Sequence, residues 1–492
     1  MLLTATWLIP ALGAATLGFT PLRRQAKLVA TAFTLVTLAL AIVIALTFDV
    51  HASGYQFVEK VNWIGDQNAL YNVPYYLGLD GISLWMVVLN SLIGVVAVIA
   101  TPANHPRGGR FLALLLMMQA GMAGVFVSLD LVLFYFFWEA MLIPAYFLVW
   151  QWGEGARPGA AAIKFVLYTL VGSLLMLVGI MGEYALTNAH SFDLPTLVTL
   201  AHSSRPPAPA LQFGLFALFA AGFLVKVPVF PFHAWLRDTY MTAPTPVLLG
   251  IAGVMGKAGA YAMLRILLPL FPNPNLWWNW NDVIPVLAVI AIAWGAFMAL
   301  TQRDLKALVA YSSLSHMGFI VLGIFTFNAQ GQEGAVIQMV NHGLIVPALF
   351  LLIAWLQQRT GTRDRSAIAG LAPRMPIMAG IFMIVALAAL GLPGLNSFVG
   401  EFMTLLGAWQ LAPWLAITGC LGLILAPIYM LRVFQGAMYG PNVSLDPEVA
   451  HPDLRRTEIA LILPLLALMF VLGLFPNLIG EAIAAVGQPM PW

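Results

Sequence analysis

LFALFAAGFLVKVPVFPFHAW, residues 215–235, is long and apolar enough to cross a bilayer, yet it holds Lys226, Pro228 and Pro231. About 20 apolar residues is the length of a transmembrane helix. Proline removes a helix donor and clashes with the preceding turn, so this span is predicted to break just after its lysine. Backbone freed at membrane depth is tolerated only where it is buried in protein or lines a wet cavity. A second segment repeats the combination. LAALGLPGLNSFVGEFMTLL, residues 387–406, carries Pro393 between Gly391 and Gly394, and then Glu401. Two interrupted spans, each beside an ionisable residue, predict an inverted repeat with sites at the breaks.

Two further spans contain a charge. LVLFYFFWEAMLIPAYFLVW, residues 131–150, holds Glu139, and VLLGIAGVMGKAGAYAMLRILL, residues 247–268, holds Lys257. A charged group at the centre of a lipid-facing helix costs roughly 2.5–3.5 kcal/mol on the mildest scale. Glu139, Lys226, Lys257 and Glu401 balance formally, so they are able to pair inside a helical bundle. Buried, coupled groups that change charge one proton at a time are what a proton path needs.

Composition supports this reading. The chain is 61% apolar and 9% charged, against about 25% charged in a soluble domain. Runs of apolar residues begin near 2, 28, 82, 111, 131, 162, 211, 245, 283, 305, 335, 376, 412 and 457. The expected fold class is therefore an all-α polytopic membrane protein of about 14 transmembrane helices. The longest polar loops, near 49–81, 187–210 and 433–457, are too short for a soluble domain. Residues 53–79 are expected to fold over the outer face. The first apolar run lacks a basic leader, and Arg23, Arg24 and Lys27 follow it, so it reads as a retained span.

Basic residues are distributed unevenly. Loops on the side of Arg23 hold 17 of the 22 basic residues, whereas Lys60, Arg205 and Arg265 lie on the other side. The positive-inside rule then puts both termini on the non-cytoplasmic side. The lone cysteine, Cys420, lies in an apolar span and excludes intrachain disulfides and cysteine-ligated iron–sulfur clusters.

Each candidate residue also has a plainer reading. Glu139 and Lys226 form either a structural ion pair, only weakly stabilising when buried, or a switchable pair. Lys257 sits in GVMGKAGAY, which imitates a phosphate loop, but no Ser or Thr follows the lysine and no strand precedes it. Its small neighbours allow close helix contact or water beside the amine. His316 and His342, on successive spans, are open to three readings: helix cross-links, axial haem ligands or relay groups. His233, Trp235, Arg237 and Asp238 read as a surface cap, Asp130 as an N-cap, and Lys306 as a cation at a cytoplasmic helix start. No metal-ligand spacing, catalytic triad or nucleic-acid patch is present in the sequence.

FYFFWEAMLIPAYFL (134–148), KVPVFPFHAWLRDTYMTAPTP (226–246), MGKAGAYAMLR (255–265), DLKALVAYSSLSHMGF (304–319), VNHG (340–343) and GLPGLNSFVGEF (391–402) together resemble the antiporter-like subunits of respiratory complex I. The resemblance runs from about residue 77 to about residue 440. It implies fourteen helices with two inverted five-helix repeats, each with a broken helix. Segments 1–110 (three helices and an outer loop), 111–270 (first repeat), 271–440 (second repeat) and 441–492 (a cytoplasmic loop and the last helix) follow from it.

The resemblance also implies roles. Glu139 looks like the glutamate that modulates the first lysine, Lys226, and Lys257 looks like the central relay lysine. His316 and His342 match a hydrophilic axis, and Glu401 matches the terminal acidic site. The sister chains L and N usually carry lysine where this chain has Glu401. One loop departs from the family, which commonly reads WLPDAH where this chain reads Trp235-Leu236-Arg237-Asp238-Thr239-Tyr240. Arg237 replaces the proline and Tyr240 the histidine.

The expected function is that of a proton-translocating membrane subunit of a bacterial plasma-membrane NADH:quinone oxidoreductase. No cofactor is expected in this chain. NADH, FMN, iron–sulfur clusters and quinone would belong to partner subunits, with chains L and N as neighbours in the bilayer. The alternatives are a subunit of a multi-chain sodium/proton antiporter or of a membrane-bound hydrogenase-type ion pump, and a haem-bearing anchor using His316 and His342.

Overall fold

The computed structural model describes residues 1–19, 25–65, 72–103, 105–186, 191–203, 208–272, 283–441 and 452–484. Arg23, Arg24 and Arg205 of the reading above lie outside these residues. Among the described residues, thirteen helices are long and apolar enough to cross a membrane. A fourteenth position, near 376, holds the shorter helix Pro376–Ala389, followed after a break by Asn396–Leu411.

The chain divides into two compact units. The first comprises residues 1–228, 254–283 and 481–492, and the second 229–253 and 284–480. The first unit contains α1 (Leu2–Phe19), α2 (Ala26–Thr47), α3 (Gly81–Ala100), α4 (Gly108–Val127), α5 (Leu131–Trp152), α6 (Pro158–Leu186), the short α7 (Leu194–Ala201) and α8 (Pro209–Lys226). Within it α4 packs on α1 and α5, and α6 packs on α5 and α8. Outward faces are apolar, with Leu28, Leu35, Leu46, Leu167, Val171 and Val178 exposed. Contiguous exposed apolar surface of this extent is what a bilayer covers and what water-soluble surfaces avoid.

A two-stranded antiparallel hairpin joins β1 (Gln56–Ile64) to β2 (Val73–Leu79). The sequence suggested a covering loop here, without its strands. The hairpin's charged residues tie down chain ends. Glu59 takes the amino terminus at 3.1 Å and the Leu3 amide at 2.9 Å. Lys60 pairs with Asp193 at 2.5 Å, and Asp193 in turn caps α7 by accepting from the Thr196 amide.

The second unit contains α9 (Leu236–Thr242), α11 (Val283–Thr301), α12 (Leu305–Ile324), α13 (Ala329–Thr360), α14 (Pro376–Ala389), α15 (Asn396–Leu411), α16 (Pro413–Tyr439) and α17 (Arg456–Leu474). Helix α10 (Thr245–Leu270) starts in the second unit and ends in the first. The centre of the second unit is α13, buried on every side and packed against α12 and α15.

Both breaks fall where proline predicts them. Helix α8 ends at Lys226, turns run through Pro228 and Pro231, and α9 begins at Leu236. Helix α14 ends at Ala389 and α15 begins at Asn396. Gly391 (φ 77°) and Gly394 (φ 93°) occupy the left-handed region in the second break, where a side chain is strained.

Candidate functional site

In the first unit, Lys226 is the last residue of α8 and is 1% exposed. A cation complements the carbonyl end of a helix. Its Nζ lies 5.3 Å from the centroid of the Trp138 ring and has no hydrogen-bond partner among the described residues. Glu139, the next residue along α5, is the acidic group that acts on it electrostatically. Glu139 is half-buried and bonds to Tyr135, one turn back, which also bonds to Ser173 on α6. The two charges therefore attract through space, with no direct hydrogen bond from the amine.

Lys257 is fully buried on α10. Its helical turn is flanked by two π-helical turns, Ile251–Met255 and Met263–Leu267. Such wide turns interrupt α-helices mostly at functional places. Gly259 lets this helix approach the end of α8: a Cβ there would lie 2.6 Å from Val227 Cγ2 and 2.8 Å from the Phe223 carbonyl oxygen. At the far end of α10, Arg265 pairs with Asp80 at 2.6 Å and bonds to Tyr55 of the hairpin at 2.5 Å.

The second unit gathers a different kind of site. Glu401, 1% exposed on α15, accepts on one oxygen from Gln338 at 2.9 Å and Ser397 at 3.1 Å, and pairs there with His316 Nδ1 at 2.7 Å. Its second oxygen lies 3.1 Å from where a Cβ on Gly391 would stand. The broken segment thus closes over the carboxylate and admits only glycine at that point. Asn341 holds the opened backbone, donating to the Asn396 carbonyl at 2.6 Å. Ser313 lies 3.0 Å from His342 Nε2, and the His342 and His316 ring centroids are 5.9 Å apart. Beside these rings is a narrow gap, with Ser312, Gln338 and Ser397 among its lining residues.

The histidines bond to protein partners through His316 Nδ1 and His342 Nε2. The gap beside the two rings is far too narrow for a haem. Relay and cross-linking fit this arrangement better. Among the described residues no three His, Cys, Asp or Glu groups converge to hold a metal ion.

Two participants escaped the sequence reading. Gln338 and Ser397 stand four residues before His342 and Glu401 respectively, so each shares a helix face with its partner. That spacing was available in the sequence. Lys306, read as a cation at a helix start, is the second residue of α12, where it is fully buried and donates to the Ala243 carbonyl at 3.2 Å. Asp130 is the N-cap of α5, accepting from the Val132 and Leu133 amides at 2.9 and 3.0 Å. Arg237 and Asp238 form an exposed pair at 3.8 Å on α9, while Trp235 is buried and His233 stacks on Phe230.

Residues 128–425 match the family model of NADH:quinone oxidoreductase/Mrp antiporter transmembrane proteins. The chain is 38% identical to NADH-quinone oxidoreductase subunit M of Rickettsia prowazekii, over 89% of this chain and 86% of that one. It is 36% identical to subunit M of Mycobacterium tuberculosis, over 96% and 91% of the two chains. Its fold superposes on a chain of Thermus thermophilus respiratory complex I with a TM-score of 0.87 and 31% identity, covering 99% of this chain and all of that one.

Proposed function

The chain belongs to the NADH:quinone oxidoreductase/Mrp antiporter transmembrane family as a subunit-M-type chain, and we propose that Glu139, Lys226, Lys257, His316, His342 and Glu401 carry its protons. Its function is that of an antiporter-like, proton-translocating membrane subunit of NADH:quinone oxidoreductase. The sodium/proton antiporter alternative has less support, because the relatives cited above are complex I subunits.

One observation carries the site assignment most strongly. Glu401, on the half-helix that follows the Pro393 break, and His316, on α12, are both buried and 2.7 Å apart. A carboxylate and an imidazole in contact share protons readily, because each group sets the charge the other prefers. In the first unit, the charge on Glu139 sets how firmly Lys226 keeps its proton, and Lys257 follows as relay. Order along the path runs from Glu139–Lys226 through Lys257 to Glu401, with His316 and His342 serving Glu401. Electron transfer, with NADH, FMN, iron–sulfur clusters and quinone, belongs to partner subunits. Chains L and N are its neighbours, in a bacterial plasma membrane. The two breaks fit inverted repeats over 111–270 and 271–440.

The test uses vesicles bearing the assembled complex. Lys226→Ala and Lys257→Ala should each abolish most NADH-driven proton uptake while the complex still assembles. Normal uptake in both assembled variants would overturn the assignment. Orientation is checked separately. Cysteines at Gly108 and Thr362 should react with an impermeant reagent only from the cytoplasmic side, and one at Ser203 only from outside. The opposite labelling would reverse the topology.

A further inference from the structure

Tyr240 is the residue at which this chain leaves the pattern WLPDAH, and the structure gives it a specific setting. It lies on α9, the half-helix that follows the first break. It is buried, and its ring meets Phe350 of α13 edge-on at 5.7 Å. Its hydroxyl is hydrogen-bonded to Ser313. Ser313 is the same residue whose hydroxyl lies 3.0 Å from His342 Nε2. A continuous chain therefore runs from Tyr240 through Ser313 to His342, all within the second unit.

The other side of α9 faces a polar surface. Arg237 and Asp238 are 46% and 39% exposed in this chain. A helix of seven residues thus presents an ion pair outward and a hydroxyl inward. The far end of α9 is fixed by Lys306, whose amine donates to the Ala243 carbonyl just beyond the last helical residue. That clamp holds the Tyr240 hydroxyl in register with Ser313.

We propose that Tyr240 is a proton-relay residue, passing protons to and from His342 through Ser313. This rests on the reading that the chain moves protons through its buried residues. In one transfer, His342 Nε2 takes the Ser313 hydroxyl proton and becomes imidazolium. Ser313 takes the Tyr240 proton, and Tyr240 takes one from a hydronium ion, which is left as water. Both hydroxyls end as they began, with their hydrogen bonds reversed, and the net change is one proton on His342. The same steps in reverse empty it. A phenyl ring in place of Tyr240 keeps the packing on Phe350 but cuts the chain at its first link.

The experiment measures NADH-driven proton uptake and NADH oxidation in vesicles with verified assembly. The variants are Tyr240→Phe, Tyr240→His, Ser313→Ala, the Tyr240→Phe/Ser313→Ala double variant, and Lys257→Ala. Tyr240→Phe should lower the rate of NADH-driven proton uptake about 3- to 10-fold, the factor set by one hydrogen bond's worth of free energy. Tyr240→His keeps a proton-exchanging side chain and should recover most of the loss. The double variant should be no worse than the worse single one, because both cut the same chain. Wild-type pumping by assembled Tyr240→Phe, beside a dead Lys257→Ala, would overturn the relay alone. If both pump normally, the reading beneath it fails instead. Additive losses in the double variant would also overturn the relay, since independent sites add. If Tyr240→Phe does not assemble, Ser313→Ala decides, and wild-type pumping by it overturns the proposal.

Discussion

The first unit keeps the Lys226 amine in a sparse setting, whereas the second surrounds its carboxylate with partners. Lys226 has the Trp138 ring and a through-space charge, Glu139, for company. Glu401 has Gln338, Ser397 and His316 within 3.1 Å. A sparsely held charge depends strongly on its one charged partner, because few hydrogen bonds offset its desolvation. A densely held charge is buffered, because removing one contact leaves others in place. The two sites should therefore fail differently: the first abruptly and the second by degrees.

The largest expected effect tests the first half of that contrast. Glu139→Ala removes the one acidic group acting on Lys226. One pKa unit of lost support is a tenfold change in proton occupancy, so pumping should fall about ten-fold. Glu139→Asp should retain part of the activity, since field strength matters more than exact position at this range. Proton uptake and NADH oxidation in the assembled complex measure both. Wild-type pumping by Glu139→Ala would show that Lys226 does not depend on this partner, and the contrast would collapse.

A smaller effect is expected at the dense site. Glu401→Gln keeps the shape and can still accept from Ser397 and Gln338, but it cannot hold a proton. Pumping should drop several-fold, yet less than in Glu139→Ala. Glu401→Lys should also retain partial activity, since it restores a titrating group while reversing the local field beside His316. If Glu401 only anchors the half-helix after the break, Gln should be silent and Lys worst of all. Proton uptake ranked across the two variants separates these outcomes.

The sequence made much of this legible, and the reasons differ by element. Spans and breaks were readable because a bilayer imposes length and apolarity, and because Pro228, Pro231 and Pro393 act locally. Lys226, Lys257, Glu139 and Glu401 stood out because charge in hydrocarbon is costly enough to demand a role. The hairpin at 56–79 was not legible. Its alternation is weak: β1 is mostly exposed, and Glu59 and Lys60 hold the amino terminus and Asp193 far along the chain. Lys306 was legible as a cation at a helix start, but not its burial, which depends on how α9 packs against α12. Pairs such as His316 with Glu401, 85 residues apart, depend on how α12 and α15 pack around α13, which spacing within one helix does not encode. Gln338 and Ser397 were accessible through their four-residue spacing.

The smallest effect concerns Asp130, a carboxyl as deeply buried as Glu401 but held by backbone. Its side chain is 1% exposed and accepts from the first-turn amides of α5. Burial pushes its carboxyl up to about 7 from 3.8, against the pull of the Leu133 and Val132 amides, with Asp193 raising it further and Lys60 opposing. The sign follows from proton binding. Between about 4 and 7 the folded chain keeps the proton and the unfolded chain has lost it, so this group's contribution to stability falls as pH rises through that window and is flat above it. Asparagine remains a good N-cap and does not titrate. Asp130→Asn should therefore pump like wild type, and the pH slope of its thermal unfolding between 4 and 7 should differ from wild type by this one proton. Curves of the assembled complex at several pH values give that difference. Equal slopes would mean that Asp130 does not hold its proton. A loss of pumping would mean that burial alone, whatever the partners, makes a carboxyl here functional, and the distinction between sparse, dense and backbone-held charges would no longer explain which residues matter.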